Sequence, residues 1–135
     1  MLYPEHSKGC ASELKAAIYF LEQGHQVYLP LVQQGRVDFI VEKFESQQLA
    51  RMQVKTATWN LSSGHKYLQC RTQTTNKDKR LPSDMDYEFL VIVYENEMWV
   101  IPSERVTSSN ISLKGKEEHV WDTYKVKGEL INGTS

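Results

Sequence analysis

The first apolar positions of the chain recur with a helical period. They are spaced three or four residues apart, at Ala11, Leu14, Ala17, Ile18 and Leu21. Such spacing forms one apolar stripe along an α-helix. Ser7 is a suitable N-cap, and Gly24 stands where a glycine often ends a helix. We therefore predict a helix over residues 7–23 that packs through this stripe, with Glu13 beside it.

After Gly24 the pattern changes to alternation and short apolar runs, which are typical of strands. The predicted strands span residues 25–31, 36–42, 49–58, 66–72, 89–94 and 98–101. The last two form a hairpin, and residues 74–85 form an exposed polar loop. A helical turn is predicted at residues 103–106. A short helix over 117–125 is expected to pack Val120, Trp121 and Tyr124. The order of elements predicts an α+β or mixed α/β domain with mostly antiparallel strands.

Composition excludes a disordered chain, because 40% of the 135 residues are hydrophobic and 24% are charged. The formal charge of -1 excludes a protein that is basic throughout. It leaves nucleic acid open as a partner, since binding depends on how charge is distributed. Cys10 and Cys70 are too few for a disulfide framework. Without a long apolar segment, the protein is expected to be soluble and cytoplasmic, with no membrane partner.

One group of polar residues is unusual for its surroundings. Asp38 lies within the apolar run 37–41, where a carboxylate needs a partner. Gln53 and Lys55 are two residues apart and share one face of the next strand, so Val54 faces the core. The intervening turn is long enough for an antiparallel hairpin. This hairpin would bring the three side chains into one pocket, with Glu13 reaching in from the helix.

Such a set suits phosphodiester hydrolysis. That reaction needs carboxylates to hold a divalent metal, a polarised water, and a positive charge to stabilise the transition state. Mg²⁺ accepts one or two carboxylates together with amide or carbonyl oxygens.

The residues alone leave simpler interpretations open. Glu13 could pair with a lysine of its own helix. Asp38 could form an ion pair with Arg36 or Lys55, and Gln53 could lie on the solvated face of an edge strand.

The chain resembles the PD-(D/E)XK nuclease superfamily, in which D…(D/E/Q)-x-K follows a helical glutamate. It is most similar in character to the small branch of group I intron-encoded homing endonucleases. Four stretches carry the resemblance: SKGCASELKAA (7–17), GHQVYLP (24–30), GRVD (35–38) and RMQVKTA (51–57). It implies a single restriction-endonuclease-like domain over residues 1–135, with a core at about 7–102 and an extension at 103–135.

Position by position, the resemblance implies that Asp38 is the principal metal ligand and Glu13 a further one. Lys55 would position the attacking water and stabilise the charge on phosphorus. Gln53 would be a third metal ligand where most of the superfamily has Asp or Glu, which removes one charge from the site. Val37 replaces the usual proline. The implied cofactor is Mg²⁺, for which Mn²⁺ substitutes, and no organic cofactor is expected.

Basic and polar residues near these strands are candidate DNA contacts. They are Lys8, Arg36, Arg51, Thr56, Lys66, Arg71, Lys77, Lys79 and Arg80, with Gln73 or Asn76 reading base edges. Ordinary surface charge is the alternative for each of them.

The resemblance implies a Mg²⁺-dependent endonuclease that cuts double-stranded DNA, and more narrowly a site-specific homing enzyme of a bacterium or phage.

 Cutting both strands needs two active sites, so a homodimer or homotetramer is expected. The hairpin at 89–101, with Trp121 and Tyr124, would supply the interface. A Holliday junction resolvase or a restriction-type nuclease is the alternative on the same fold. A catalytically silent DNA-binding or assembly protein is the alternative of another class, which Gln53 leaves open.

Overall fold

A computed structural model describes residues 4–31, 36–73, 80–84, 87–115 and 118–126. The helices are α1 (Pro4–Glu22) and α2 (Glu118–Trp121). The strands are β1 (Gln26–Tyr28), β2 (Phe39–Glu42), β3 (Leu49–Thr56), β4 (Thr58–Ser62), β5 (His65–Arg71), β6 (Phe89–Tyr94), β7 (Glu97–Pro102) and β8 (Asn110–Lys114). Short 3-10 turns occupy Pro82–Asp84, Ser103–Arg105 and Asp122–Tyr124.

The strands form two sheets. The large sheet has the order β1-β2-β3-β6-β7, and the small sheet has the order β4-β5-β8. All neighbouring strands are antiparallel except β3 and β6, which are parallel. The predicted α+β class is confirmed, and so is the predicted β6–β7 hairpin.

Strand β6 is the centre of the core. Leu90 and Ile92 point into an inter-sheet cluster between the two sheets, and Val91 and Val93 point into a helix-side cluster beneath α1. None of the four side chains is more than 1% exposed. A strand buried on both faces is expected to be continuously apolar, as this one is.

The predicted packing face of α1 is wrong. Leu14, Ile18 and Leu21 are 62%, 44% and 52% exposed, and Ala11 is exposed as well. The buried face instead carries Ser12, Ala16 and Phe20. Hydrophobic periodicity overlooked this face because two of its three members are small and one is polar.

The ends of α1 were predicted with mixed success. The helix begins at Pro4, so Ser7 lies inside it and is not the N-cap. Proline suits a first helical turn because its missing N–H would have no partner there. Gly24 follows the helix with a φ of +91°, in the left-handed region that favours glycine, as expected at a helix end.

Several strand boundaries also differ from the prediction. The strand predicted at 36–42 begins only at Phe39, and Val37 packs against the inter-sheet cluster, whereas Phe39 belongs to the helix-side cluster. The segment 49–58 is divided at the buried Ala57, after which β4 begins. Strands β4 and β8 were not predicted. The connection between the first two predicted strands, residues 32–35, lies outside the described residues.

The hairpin predicted as a subunit interface is part of the core. Met98, Trp99 and Ile101 have no exposed surface, so β7 cannot offer these side chains to another subunit. Trp121 and Tyr124 are half-buried against the inter-sheet cluster. Val120 is 50% exposed, which contradicts its predicted packing. Among the described residues, no helix is long and apolar enough to cross a membrane.

Glu97 joins the large sheet, the small sheet and the C-terminal segment. Its Oε1 accepts hydrogen bonds from Lys114 Nζ at 2.8 Å and Lys125 Nζ at 2.7 Å. Lys125 Nζ also lies 5.5 Å from the centroid of the Trp99 ring. Partial burial acts to raise the pKa of Glu97, but the two lysines outweigh it, and the net effect is a lowered pKa.

We expect Glu97→Gln to lower the free energy of unfolding by about 0.5–1 kcal/mol at pH 7, a modest value because the pair is partly exposed. Because the pKa of Glu97 is lowered in the folded state, its carboxylate stabilises the fold fully above pH 4.5, the ordinary pKa of the group. This stabilisation is lost as the pH falls from there through the lowered folded pKa. Urea unfolding from pH 3 to pH 7 measures both effects. Glu95→Gln, on the adjacent exposed turn, is the matched control, and an equal loss in that variant would contradict the prediction.

Candidate active site

Asp38 is fixed against β3 by two hydrogen bonds. Its backbone N–H donates to Met52 O at 2.8 Å, which extends the β2–β3 ladder by one residue. Its Oδ2 accepts from the Val54 N–H at 2.6 Å. A charged acceptor makes such a bond short and strong. Asp38 therefore lies immediately before β2, and the predicted hairpin geometry is confirmed.

Gln53 and Lys55 lie on the inter-sheet face of β3. In the parallel register, Gln53 stands beside Leu90 and Lys55 beside Ile92, both of which belong to the inter-sheet cluster. Val54 packs against the helix-side cluster, as the alternation predicts. The carboxylate of Asp38, held by the Val54 N–H, thus lies at the part of β3 that carries both side chains.

Gln53 is 6% exposed, and its buried Oε1 has no hydrogen-bond partner among the described residues. A buried polar atom left in this state costs about 1–3 kcal/mol. An amide oxygen is also a donor that hard divalent cations accept. The atom is therefore available to a ligand.

Lys55 is largely withdrawn from solvent. Burial lowers the pKa of Lys55, the negative charge of Asp38 opposes that effect, and the positive charge of Arg71 adds to it. Its Nζ donates to Gln73 O at 3.2 Å. The ammonium group consequently stands near Asp38 but is held by a backbone carbonyl.

Glu13 reaches the same place from α1. Burial raises the pKa of Glu13 to about 7, and the hydrogen bond with Asp38 and the charge of Asp38 both add to this rise. Two carboxyl groups in contact repel each other when both are ionised, and a cation between them removes that repulsion. No three His, Cys, Asp or Glu side chains form a metal cluster in the described part of the chain. The amide oxygen of Gln53 is the candidate for a third side-chain ligand.

The oxygen donors of Glu13, Asp38 and Gln53 fit a hard divalent cation. Two carboxylates and an amide oxygen match the preference of Mg²⁺ for few protein ligands. The structure thus brings Glu13, Asp38 and Lys55 together, and it places Gln53 on β3 next to the residue whose N–H holds Asp38.

The predicted DNA contacts are distributed unevenly. Arg71 is exposed at the end of β5 and acts on Lys55 electrostatically. Arg36 is half-buried and acts on Tyr87. Arg51 is engaged elsewhere, because its guanidinium donates to the Glu88 carboxylate at 2.6 and 3.2 Å.

The remaining candidates are spread over several elements, and three of them lie outside the described residues. Thr56 is on the helix side of β3, where its hydroxyl hydrogen-bonds Ser12 Oγ at 2.7 Å. It lines a groove of about 420 Å³ together with Lys8. Lys66 and Arg80 are exposed, and Gln73 is half-buried. Asn76, Lys77 and Lys79 lie outside the described residues.

The sequence did not single out Tyr87, although this residue interacts electrostatically with Asp38. This side chain is 2% exposed, and its hydroxyl has no hydrogen-bond partner among the described residues. Burial raises its pKa, and the Cys70 and Asp38 charges add to that rise. Tyr87 stands just before an apolar strand, and nothing in the sequence distinguishes it from an ordinary core aromatic residue.

Known proteins share this architecture. The bacterial homing endonuclease I-Ssp6803I superposes with a TM-score of 0.70 and 20% sequence identity, over 93% of this chain and 88% of that one. This likeness confirms the restriction-endonuclease-like fold. Protein 5.3 of Escherichia phage T7 is 27% identical over 111 residues, which cover 82% of this chain and 91% of the phage protein.

A family model described as PD-(D/E)XK endonuclease matches residues 3–127. That range includes both sheets, α1 and the four residues of the candidate site. The chain therefore belongs to the PD-(D/E)XK endonuclease family.

Proposed function

We propose that this protein is a divalent-metal-dependent endonuclease that hydrolyses phosphodiester bonds in double-stranded DNA, acting as one domain over residues 1–135. The observation that carries the proposal is the contact between the carboxyl groups of Glu13 and Asp38, with Asp38 held on β3 by the N–H of Val54, next to Gln53 and Lys55. A catalytically silent DNA-binding protein would have no need to bring two carboxyl groups into contact near a partly buried lysine.

Each residue has a distinct part in the proposed reaction. Asp38, Glu13 and Gln53 would hold Mg²⁺ or Mn²⁺ through oxygen atoms. When bound, the cation polarises the phosphate and lowers the pKa of water. Asp38 is kept in one orientation by the Val54 N–H, so its oxygen is placed before substrate arrives. Lys55 places a positive charge, in a poorly solvated position, where negative charge develops on phosphorus.

A site-specific homing activity in a phage or bacterial setting is the more specific form of the proposal. The fold likeness to a bacterial homing endonuclease and the phage relative support it. A junction resolvase or restriction-type activity on the same fold would differ in the DNA that is cut.

We expect Mg²⁺ or Mn²⁺ to support plasmid cleavage, and EDTA to abolish it. Asp38→Asn and Lys55→Met should each reduce the cleavage rate by about 100- to 1,000-fold, because each removes a group that stabilises the transition state. Lys43→Met removes an exposed lysine from the turn after β2 and should leave the rate unchanged. Full activity of either site variant would contradict the assigned roles. Comparing linear with branched duplexes separates a homing or restriction enzyme from a resolvase.

Metal binding can be measured without catalysis. Mg²⁺ or Mn²⁺ at a hundred times its Kd should stabilise the fold by about 2.7 kcal/mol. We expect thermal melting to show this gain in the wild type and not in Asp38→Asn. Gln53→Glu adds a third carboxylate and should bind the metal more tightly, whereas Gln53→Leu should bind it more weakly. Identical metal titrations for these two variants would exclude Gln53 as a ligand.

Double-strand cleavage requires two active sites, so we propose a homodimer or homotetramer. With the β6–β7 hairpin buried, the exposed face of α1 is the better candidate interface. Ala11, Leu14, Ile18 and Leu21 follow one another at steps of three and four residues, the spacing of a helix–helix seam. A second copy of α1 across a two-fold axis would cover this face.

The combined substitution Leu14→Glu and Ile18→Glu should convert the oligomer to a monomer, because it buries two charges in an apolar seam. Light scattering after gel filtration measures the mass. Phe44→Glu introduces the same charge at a side chain that is 75% exposed in another place, and it should leave the oligomer intact. An unchanged mass for the α1 variant would show that the subunits meet elsewhere.

A further inference from the structure

Strands β4 and β5 form an arm that extends beyond the core. Every residue of β4 is exposed, and so are His65 and Lys66 at the start of β5. A two-residue turn joins the strands, with left-handed φ values of 53° at Ser63 and 80° at Gly64. Five residues per strand give the arm a length of about 16 Å. Only the root of the arm, at Leu68 and Cys70, belongs to the inter-sheet cluster, so the core does not explain the exposed strand β4 or the turn.

The strand register places polar and apolar side chains on opposite faces of the arm. One face pairs Thr58 with Gln69, Asn60 with Tyr67 and Ser62 with His65. The other pairs Trp59 with Leu68 and Leu61 with Lys66. The first set, here named the polar face, therefore carries hydrogen-bonding groups without a single carboxylate.

The polar face continues onto β8. Gln69 stands opposite Ser112, and its Nε2 donates to Ser112 Oγ at 3.5 Å. Arg71 stands opposite Asn110. The face thus runs across the whole small sheet, while Leu68 and Cys70 are buried on the reverse side.

Charge is segregated along the sequence in the same region. Residues 46–77 contain no Asp or Glu, although the chain has 17 such residues in total. The same stretch contains Arg51, Lys55, Lys66, Arg71 and Lys77. A chain with a net charge of -1 therefore presents its arm without acidic residues, as a surface that meets a polyanion requires.

The root of the arm lies next to the candidate active site. Arg71 ends β5 and acts electrostatically on Lys55, and Lys55 Nζ donates to the carbonyl of Gln73, two residues after Arg71. A phosphate at Lys55 would thus lie at the root of the arm. The flanking duplex would then run along the polar face.

We propose that the β4–β5 arm lies in the major groove beside the cleaved bond and reads base edges through Asn60 and Gln69. The inference rests on the proposed action on duplex DNA. A two-stranded ribbon fits the major groove, which is about 12 Å wide, and Asn and Gln side chains pair with adenine there. Within the described part of the chain, Asn60 Nδ2 makes long contacts with Thr58, at 3.3 and 3.5 Å, and it can exchange them for a base.

Selection from a library of random DNA duplexes tests the proposal, with Ca²⁺ replacing Mg²⁺ so that binding is measured without cleavage. The wild type should enrich a consensus sequence. Asn60→Ala and Gln69→Ala should each lose preference at one or two positions, by about 5- to 150-fold per base pair. Leu61→Ala alters a 70%-exposed side chain on the other face of the arm and should retain the full consensus. Arg71→Ala, which removes the cation of the polar face, should weaken binding to all sequences alike and reduce the salt slope by about one.

The same consensus in Asn60→Ala, Gln69→Ala and the wild type would overturn the proposal, as would a wild type that enriches no sequence. Plasmid cleavage in Mg²⁺ tests the proposed function separately. If the protein selects a consensus through the arm but cuts no DNA, the proposed role of the arm stands and the proposed catalysis is wrong. If the protein cuts at a specific sequence and both arm variants keep its consensus, the proposed catalysis stands and the proposed role of the arm is wrong. Matching thermal melts of the variants and the wild type establish that folding is unchanged.

Discussion

The hydrogen bond from the Val54 N–H to Asp38 Oδ2 is the contact on which the candidate site depends. It ties a carboxylate that precedes β2 to the backbone of β3, between Gln53 and Lys55. Because side chains alternate along a strand, the apolar Val54 packs in the core beneath α1, and the polar Gln53 and Lys55 lie on the other face. Because the donor is a backbone group, this alignment does not depend on the identity of the side chain at position 54.

The sequence predicted the β2–β3 part of the site well because the period of two is a strong constraint. Gln53 and Lys55 must share a face in any strand, and a tight connection to Asp38 leaves few arrangements. The resemblance to a known family added Glu13, which periodicity alone would leave on a solvated helix. That Gln53 Oε1 has no partner among the described residues could not be predicted, since it depends on what the rest of the fold places around that atom.

The wrong predictions have physical reasons as well. The packing face of α1 was misplaced because Ser12 and Ala16 let the helix lie close to the sheet, while larger apolar residues remain outside. Strand β4 was missed because both of its faces are exposed, so burial imposes no alternation on it. Strand β8 is held by pairing with β5, a long-range contact that local pattern does not report.

The parallel pairing of β3 with β6 has a consequence for how such a protein can diversify. Parallel neighbours need a long crossover, which is usually a helix, and here it contains the β4–β5 arm. Both ends of the crossover are pinned, by the Ala57 N–H to Val93 O at 3.0 Å and by the Glu88 N–H to Arg51 O at 3.0 Å. The tip of the arm can therefore change in length or sequence while the strands that carry the carboxylates stay in register. Such a connection is a module that evolution or design can exchange without rebuilding the chemistry.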